Sequence, residues 1–255
     1  MEQKKGSVER FFGAHAQGYT KSQSHAHGAD LDVLIEALKP KVTDAALDVA
    51  TGTGFTAVAL ARLARHVTGI DVTKEMLEEA RRLANTEGLG NVEFEKGDAL
   101  DIRYCDGSFD IVTTRRATHH FQDVPGFLRE ARRVLKPGGR LGVVDMSPPE
   151  GTEAFCNKIE KLRDSSHMEA FPPSAWKSMV SGAGFQIGFA RVLEEPVTLE
   201  KWLYPVETGG REEKEIRQAW TMASPQVMKL LCADVKEDAI RGWTKARLIL
   251  VGSKA

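Results

Sequence analysis

Cysteine is scarce in this sequence, and its scarcity excludes several kinds of protein. The 255 residues include only three cysteines, at positions 105, 156 and 232. They are widely spaced and odd in number, so they provide neither a disulfide framework nor a CxxC pair for a metal ion. The pair His25 and His27 has no third or fourth ligand nearby, so no metal site is expected. This pattern fits a protein of a reducing compartment.

The sequence also has no charge excess and no long apolar run. Lys and Arg total 35 against 36 Asp and Glu, a balance unlike that of a typical nucleic-acid-binding protein. The N-terminus lacks the apolar core of a signal peptide. Near the glycine-rich loop, the longest uncharged run, Val49 to Ala61, is far shorter than the roughly 20 residues that span a bilayer. We therefore expect a cytoplasmic protein with no nucleic-acid partner and no membrane-spanning segment.

Short β-branched runs alternate with helical patterns over residues 45–144. The pattern predicts strands at 46–50, 66–72, 92–95, 109–113 and 140–145, and helices at 55–65, 74–87 and 124–135. Strands separated by helices imply βαβ units, and hence a parallel sheet with helices on both of its faces. The sequence therefore predicts a doubly wound α/β fold.

The pattern changes beyond Pro148 and Pro149. The sequence there predicts helices at 152–164 and 174–183, a strand at 185–193, a helical stretch over 198–239 and a last strand at 245–252. Because no linker composition separates the last hundred residues, we expect one domain over 1–255, with a helical cap at 1–40, a core at 41–150 and sheet completion with substrate-side helices at 151–255.

The long connection before the last strand is rich in large apolar side chains. It could form a lid over a pocket or an ordinary packed helical layer. The residues concerned are Trp202, Tyr204, Trp220, Met222 and Met228.

A glycine-rich loop lies between the first predicted strand and the first helix. Gly52, Gly54 and Ala57 have the G-x-G-x-x-G/A spacing, which permits a tight turn and close approach of a ligand to the backbone. A plain strand-to-helix turn also favours glycine. Asp71 ends the second strand, where a carboxylate can hold both hydroxyls of a ribose. Its alternative role as a helix N-cap is weaker, because Thr73 begins a near capping box.

Three acidic residues mark the ends of three successive strands. Asp48 lies just before the loop, where a carboxylate would repel a pyrophosphate on the helix N-terminus but would suit a cationic ligand, such as a sulfonium with an α-amino group. Asp98 follows the third strand, where it could accept a hydrogen bond from an adenine amino group. Together with Asp71, these acids favour adenosylmethionine over NAD.

Five ordered motifs resemble those of class I S-adenosylmethionine-dependent methyltransferases: Asp48 to Gly54, Gly69 to Asp71, Gly97 to Ala99, Phe109 to Val112 and Leu135 to Arg140. The most similar subgroup contains the ubiquinone and menaquinone biosynthesis C-methyltransferases and their uncharacterised bacterial relatives. The resemblance covers residues 10–150. It implies a Rossmann-like, mostly parallel seven-stranded sheet with a C-terminal helical insertion, and S-adenosyl-L-methionine as the cofactor.

The resemblance also implies how the cofactor is held. The glycine loop would wrap its methionine part, Asp71 would bind the ribose, and Asp98 would hold the edge of the adenine. Tyr19 would lie near the cofactor carboxylate, on a segment that closes over the site. The full implied set is Tyr19, Asp48, Ala50, Gly52, Gly54, Asp71, Val72, Met76, Asp98, Ala99 and Arg115.

The segment after the fourth strand would line the methyl-transfer site. His119 and His120 are the catalytic candidates, because histidine is the usual base near neutral pH. The alternative is that they form a wall of the site or position the acceptor without moving a proton.

Arg115 and Arg116, in the same segment, could clamp the cofactor carboxylate or an acidic acceptor. The structural alternatives are that they are solvated loop residues or that they pair with Asp110 and Asp123.

The sequence thus predicts an enzyme that transfers a methyl group to a small, apolar or aromatic acceptor at carbon or oxygen. One alternative is an NAD-dependent oxidoreductase that uses the same loop, although Asp48 and the absence of a Tyr-x-x-x-Lys pair oppose it. Another is a catalytically inactive protein that binds the cofactor. Pairing of two chains as a homodimer is a further expectation.

Overall fold

The structure is a computed structural model that describes residues 28–255 except positions 205 and 207. The expectations for Tyr19, for His25 and His27, and for most of the cap over 1–40 therefore lie outside the described residues.

One mixed sheet runs through the described part of the chain. Its strands are β1 (Ala45–Val49), β2 (His66–Asp71), β3 (Val92–Lys96), β4 (Phe109–Arg115), β5 (Leu135–Met146), β6 (Phe185–Thr198), β7 (Asp234–Lys236) and β8 (Ala239–Lys254). They are ordered β3-β2-β1-β4-β5-β8-β6, and β7 pairs with β8. Strands β1 to β5 are parallel to one another, whereas β8 is antiparallel to β5, β6 and β7. The predicted doubly wound, mostly parallel sheet is confirmed.

Helices cover both faces of this sheet. They are α1 (Ala29–Leu38), α2 (Phe55–Ala61), α3 (Lys74–Thr86), α4 (Val124–Val134), α5 (Glu153–Arg163), α6 (Pro173–Gly182), α7 (Leu199–Leu203), α8 (Arg211–Thr221) and α9 (Pro225–Leu230). Alternate residues of β1 face opposite sides, as strand geometry requires: Leu47 packs in the core with α4 and α6, and Ala46 in the core with α1, α2 and α3.

A third apolar cluster joins α5, α7 and α8 to the first half of β8. Its centre is a set of ring contacts, with Trp243 packed 4.9 Å from both Trp202 and Trp220 and Phe155 packed 4.7 Å from Trp220, measured between ring centroids. The predicted C-terminal helical insertion is therefore a packed layer at these positions.

The end of this insertion differs from the prediction. The helical stretch ends with α9, and a short hairpin of β7 and β8 follows. Glu237 and Asp238 form its two-residue loop with φ of 52° and 60°. A two-residue hairpin turn of type I′ needs positive φ at both loop positions, which glycine and asparagine usually supply. The sequence has neither there, so the hairpin gave no recognisable signal, and β8 begins six residues earlier than predicted.

The parallel order brings the carboxyl ends of β1, β2, β3 and β4 to the same edge of the sheet, where α/β folds of this kind bind ligands. No helix in the described residues is both long enough and apolar enough to cross a bilayer.

Candidate active site

A cleft of about 1260 Å³, measured with its open mouth, lies at this edge of the sheet. Nine of the predicted cofactor-binding residues line it: Asp48, Ala50, Gly52, Asp71, Val72, Met76, Asp98, Ala99 and Arg115. Gly54 lies behind the loop, where a Cβ atom would come 2.9 Å from the Cβ of Ala80 on α3. Gly54 therefore serves close packing between the loop and α3.

The loop between β1 and α2 holds three residues in the left-handed region. Gly52 has φ of 53° and Gly54 has φ of 88°, which glycine adopts without a steric cost. Ala50 has φ of 54°, an arrangement that costs a residue with a Cβ about 1 kcal/mol or more and is concentrated at functional sites. A Cβ added to Gly52 would meet no atom within 4 Å, so the loop backbone faces open space in the cleft.

Asp71 ties this loop to the start of α3. Its Oδ2 accepts the N–H of Gly52 and its Oδ1 accepts the N–H of Thr73, each at 2.9 Å. Thr73 precedes α3, but its side chain makes no capping hydrogen bond, so the predicted capping box is wrong. The backbone N–H of Thr73 donates to Asp71 instead. Burial raises the pKa of Asp71, and the N–H donors of Thr73 and Gly52 oppose that rise. The hydroxyl of Thr73 and the backbone N–H of Val72 also bond to this carboxylate, which stays on the lining of the cleft.

Asp48 is buried at the base of the cleft, with 1% of its surface exposed. Its two oxygens accept hydrogen bonds from the hydroxyls of Thr51 and Thr113, each at 2.7 Å. Thr113 lies directly opposite Asp48 on the neighbouring strand β4. Burial raises the pKa of Asp48 to about 6, and the two hydroxyl donors only partly offset it. A cationic ligand group would favour the ionised form.

The third strand end supplies a polar edge beside an apolar wall. Asp98 lines the cleft, and its Oδ1 accepts the N–H of Leu100 at 3.0 Å. Val72, Met76 and Leu100 add apolar surface nearby on the lining. A carboxylate beside apolar side chains suits a flat heteroaromatic ring that carries an amino group.

Arg115 and Arg116 both line the cleft, and both bind a residue that the sequence did not reveal. Asp30 of α1, which is 1% exposed, accepts two hydrogen bonds from each guanidinium, at 2.8 to 3.2 Å. Burial alone would raise the pKa of Asp30, but the two arginines lower it well below its usual range. Burial, and then the charge of Arg115, lower the pKa of Arg116 to about 10.

The predicted alternative partners of these arginines are wrong. Asp110 pairs with Lys136 at 2.8 Å and Asp123 with Arg129 at 3.2 Å. Asp30 was missed because it lies 85 residues before Arg115, on an element that the sequence does not link to β4.

The two catalytic candidates have different surroundings. His120 lines the cleft, whereas His119 is buried behind it. The Nδ1 of His119 lies 2.6 Å from Asp145 Oδ1, and Asp145 Oδ2 accepts the backbone N–H of His119 and the hydroxyl of Thr118. Asp145 is the functional candidate that sequence reasoning missed, although its position at the end of a central strand, opposite the histidine segment, was a usable signal.

His120 contacts the segment that follows α5. Its Nδ1 lies 3.2 Å from the carbonyl oxygen of Ser166 and 3.1 Å from the hydroxyl oxygen of the same residue. Burial, and then the charge of His119, lower the pKa of His120 well below its usual range. His120 is therefore neutral at pH 7, as a proton acceptor must be.

None of the five large apolar residues for which a lid and a packed helical layer were the alternatives lines the cleft. Trp202 and Trp220 are buried in the third cluster, while Tyr204 and Met222 are exposed. The large apolar side chains on the lining come instead from other parts of the chain: Phe55, Met76, Leu100 and Phe121.

Known proteins match both the sequence and the fold of this chain. The family described as a methyltransferase domain matches residues 47–143. The uncharacterized methyltransferase YcgJ of Bacillus subtilis is 33% identical over 229 residues, which are 89% of this chain and 90% of YcgJ. The crystal structure of YcgJ superposes with a TM-score of 0.84 at 31% identity and covers 89% of this chain and 99% of its own.

A second relative is the demethylmenaquinone methyltransferase of Thermus thermophilus. It is 35% identical over 191 residues, which cover 64% of this chain and 84% of the relative. These matches give no support to the oxidoreductase alternative. This chain therefore belongs to the class I S-adenosylmethionine-dependent methyltransferases, in the group that includes YcgJ and the demethylmenaquinone enzymes.

Proposed function

We propose that the cleft binds S-adenosylmethionine and that the enzyme methylates a small, apolar or aromatic acceptor at carbon or oxygen. The observation that carries the proposal is the convergence of two buried carboxylates, Asp48 and Asp71, on one cleft beside the open backbone of Gly52. A pyrophosphate would be repelled by this pair, whereas a sulfonium with an ammonium group would be attracted.

The residues on the lining fit this cofactor part by part. Asp71 would accept the ribose hydroxyls, Asp98 the amino group of the adenine, and Val72 and Met76 would cover its ring. The methionine part would follow the backbone of Gly52, with its cationic groups toward Asp48. The raised pKa of Asp48 supports this assignment, because a carboxylate that ionises with difficulty gains most from a cation in its pocket.

His120 is the chain's own proton acceptor at this site. When bound, adenosylmethionine supplies a methyl group that positively charged sulfur already activates, so the protein has to orient the acceptor and exclude water. His120 would take a proton from an acidic acceptor and release it to solvent afterwards. His119, held by Asp145 behind the cleft, would act as the wall against which His120 rests, with their ring centroids 4.1 Å apart.

The acceptor class is inferred from the apolar wall. Phe121 packs edge-on against Phe127 at 5.3 Å between centroids, so its ring is held in place at the cleft. Together with Phe55 and Leu100, it gives a surface for an apolar or aromatic molecule. Some relatives are demethylmenaquinone methyltransferases by name, and a quinone falls within this class.

We also assign to the whole chain, 1–255, one methyltransferase domain that acts in the cytoplasm, with a small-molecule acceptor, no nucleic-acid partner and a homodimeric state. Light scattering of the purified protein tests the last assignment, since a monomer at all concentrations would exclude it.

Calorimetric titration with adenosylmethionine, adenosylhomocysteine and NADH in parallel tests the cofactor assignment. We expect saturable binding of the two sulfur compounds and none of NADH. Binding of NADH alone would refute the proposal. Incubation with methyl-labelled adenosylmethionine and a panel of quinone precursors, phenols and charged amines then tests the acceptor class, since labelling confined to the amines would refute the apolar assignment.

A further inference from the structure

The segment between α5 and α6 folds directly onto the histidine pair. The backbone N–H groups of Met168 and Glu169 both donate to the carbonyl oxygen of His119, at 2.8 and 3.2 Å. His167, in the same segment, packs 5.7 Å from His119 between ring centroids. This segment therefore packs directly against the histidine pair, although no motif assigns it a role there.

A turn within this segment is built around Asp164. Its Oδ1 accepts both the backbone N–H of Ser166, at 2.8 Å, and the Ser166 hydroxyl, at 2.6 Å. Asp164 and Ser166 are both buried, with 5% and 3% of their surfaces exposed. A buried carboxylate that accepts two donors from one residue fixes that residue's orientation.

The hydrogen bonds of Ser166 then determine which nitrogen of His120 carries the proton. A serine hydroxyl has one hydrogen, and the hydroxyl of Ser166 donates it in the hydrogen bond to Asp164. Toward His120, the hydroxyl oxygen of Ser166 can therefore only accept a hydrogen bond. The carbonyl oxygen of Ser166, 3.2 Å from the same Nδ1, can also only accept. Nδ1 of His120 must therefore be the donor, and the neutral ring carries its proton there and presents Nε2 without one.

The second carboxylate oxygen of Asp164 lies near the other ring nitrogen of His120. Its Oδ2 is 3.9 Å from the Nε2 of His120. Among the residues that the structure describes, His119 with its partner Asp145 and His167 also lie near the ring and carry titratable groups. If Nε2 takes a proton, the carboxylate of Asp164 is the nearest group on this segment that stabilises the resulting imidazolium.

The geometry points to Asp164 and Ser166 as positioning residues that hold His120 as the Nδ1–H tautomer, with Nε2 as the nitrogen that accepts the proton of the substrate. This inference rests on the proposed function for the role of His120 as the proton acceptor. The tautomer itself is a property of the protein alone.

Nitrogen NMR of protein labelled with ¹⁵N-histidine tests it without cofactor or acceptor. The His120 signals are assigned by their loss in His120→Gln. We expect the wild type at pH 7.5 to show a protonated Nδ1 and an unprotonated Nε2 for this residue. A wild type with the proton on Nε2 would overturn the inference.

Variants of Asp164 separate positioning from mere folding. In Asp164→Ala the Ser166 hydroxyl is free to donate to Nδ1, so the Nε2–H tautomer should appear. Asp164→Asn keeps an acceptor oxygen and should retain the wild-type tautomer, and Ser165→Ala, at the exposed neighbouring serine, should leave every His120 signal unchanged. If Asp164→Ala melts like the wild type and keeps its tautomer, Asp164 does not position His120.

The NMR and the calorimetric experiments test different claims, so either claim can be refuted without the other. Loss of adenosylmethionine binding would refute the proposed function and leave the tautomer assignment intact. The wrong tautomer in a protein that binds adenosylmethionine would refute this inference alone.

Discussion

Replacing Asp48 by asparagine removes a carboxylate that the fold keeps out of solvent. Burial raises the pKa of Asp48 from 3.8 to about 6. The difference corresponds to about 3 kcal/mol by which the folded state disfavours the ionised group. Asparagine has nearly the same shape and can still bond to the hydroxyls of Thr51 and Thr113, but it does not ionise.

The sign of the pH dependence follows from the raised pKa. Below about pH 4, Asp48 is protonated in both the folded and the unfolded chain and has no cost. As the pH rises, the unfolded chain releases this proton first, so the wild type loses stability until Asp48 also ionises in the folded state, above about pH 6. The Asp48→Asn variant lacks this loss. Between pH 5 and pH 8, its free energy of unfolding should therefore gain about 1 to 2 kcal/mol relative to the wild type.

Urea unfolding of both proteins at pH 5 and pH 8 measures this difference, with Asp101→Asn, at an exposed aspartate, as the matched control. The same Asp48→Asn variant should bind adenosylmethionine more weakly, because the cationic ligand loses its counter-charge. A stability difference that is independent of pH, or that favours the wild type more at pH 8 than at pH 5, would refute the reasoning.

Two further predictions concern residues that hold the site together. Asp30→Ala leaves two buried guanidinium groups without their shared carboxylate and should lower the free energy of unfolding by about 3 to 5 kcal/mol in urea titrations; a loss below about 1 kcal/mol would contradict the assigned pairing. Gly54→Ala should lower the melting temperature more than Gly88→Ala, because both sites have positive φ but only at Gly54 does the new methyl group collide, with Ala80; equal shifts in differential scanning calorimetry would contradict this packing argument.

The fold was predictable because its elements repeat one local pattern. Apolar runs of strand length alternate with helical periodicity, and the ordered strand-end motifs fixed the edge at which a ligand binds. The β7–β8 hairpin was not predicted, because Glu237 and Asp238 occupy the two turn positions where glycine or asparagine usually indicates a hairpin.

The site was predictable only where contacts are local in sequence or lie at strand ends. Asp48, Asp71 and Asp98 lie at or close to the carboxyl ends of parallel strands, so their convergence followed from the fold. The pairing of Asp30 with Arg115 depends on where α1 packs, and no pattern near either residue encodes that packing. The tryptophans of the helical insertion could have served as lid or core, and only tertiary packing decided in favour of core.

The most direct test of the cofactor site is the affinity of adenosylhomocysteine for Asp71→Ala, measured by calorimetry beside the wild type and Asp101→Ala. Asp71 holds the loop through Gly52 and faces the cleft, so its loss removes charged hydrogen bonds each worth about 1.5 to 3 kcal/mol. We predict an affinity at least about tenfold weaker for Asp71→Ala and an unchanged affinity for Asp101→Ala. Wild-type affinity in a folded Asp71→Ala protein would show that the cofactor does not bind where this account assigns it.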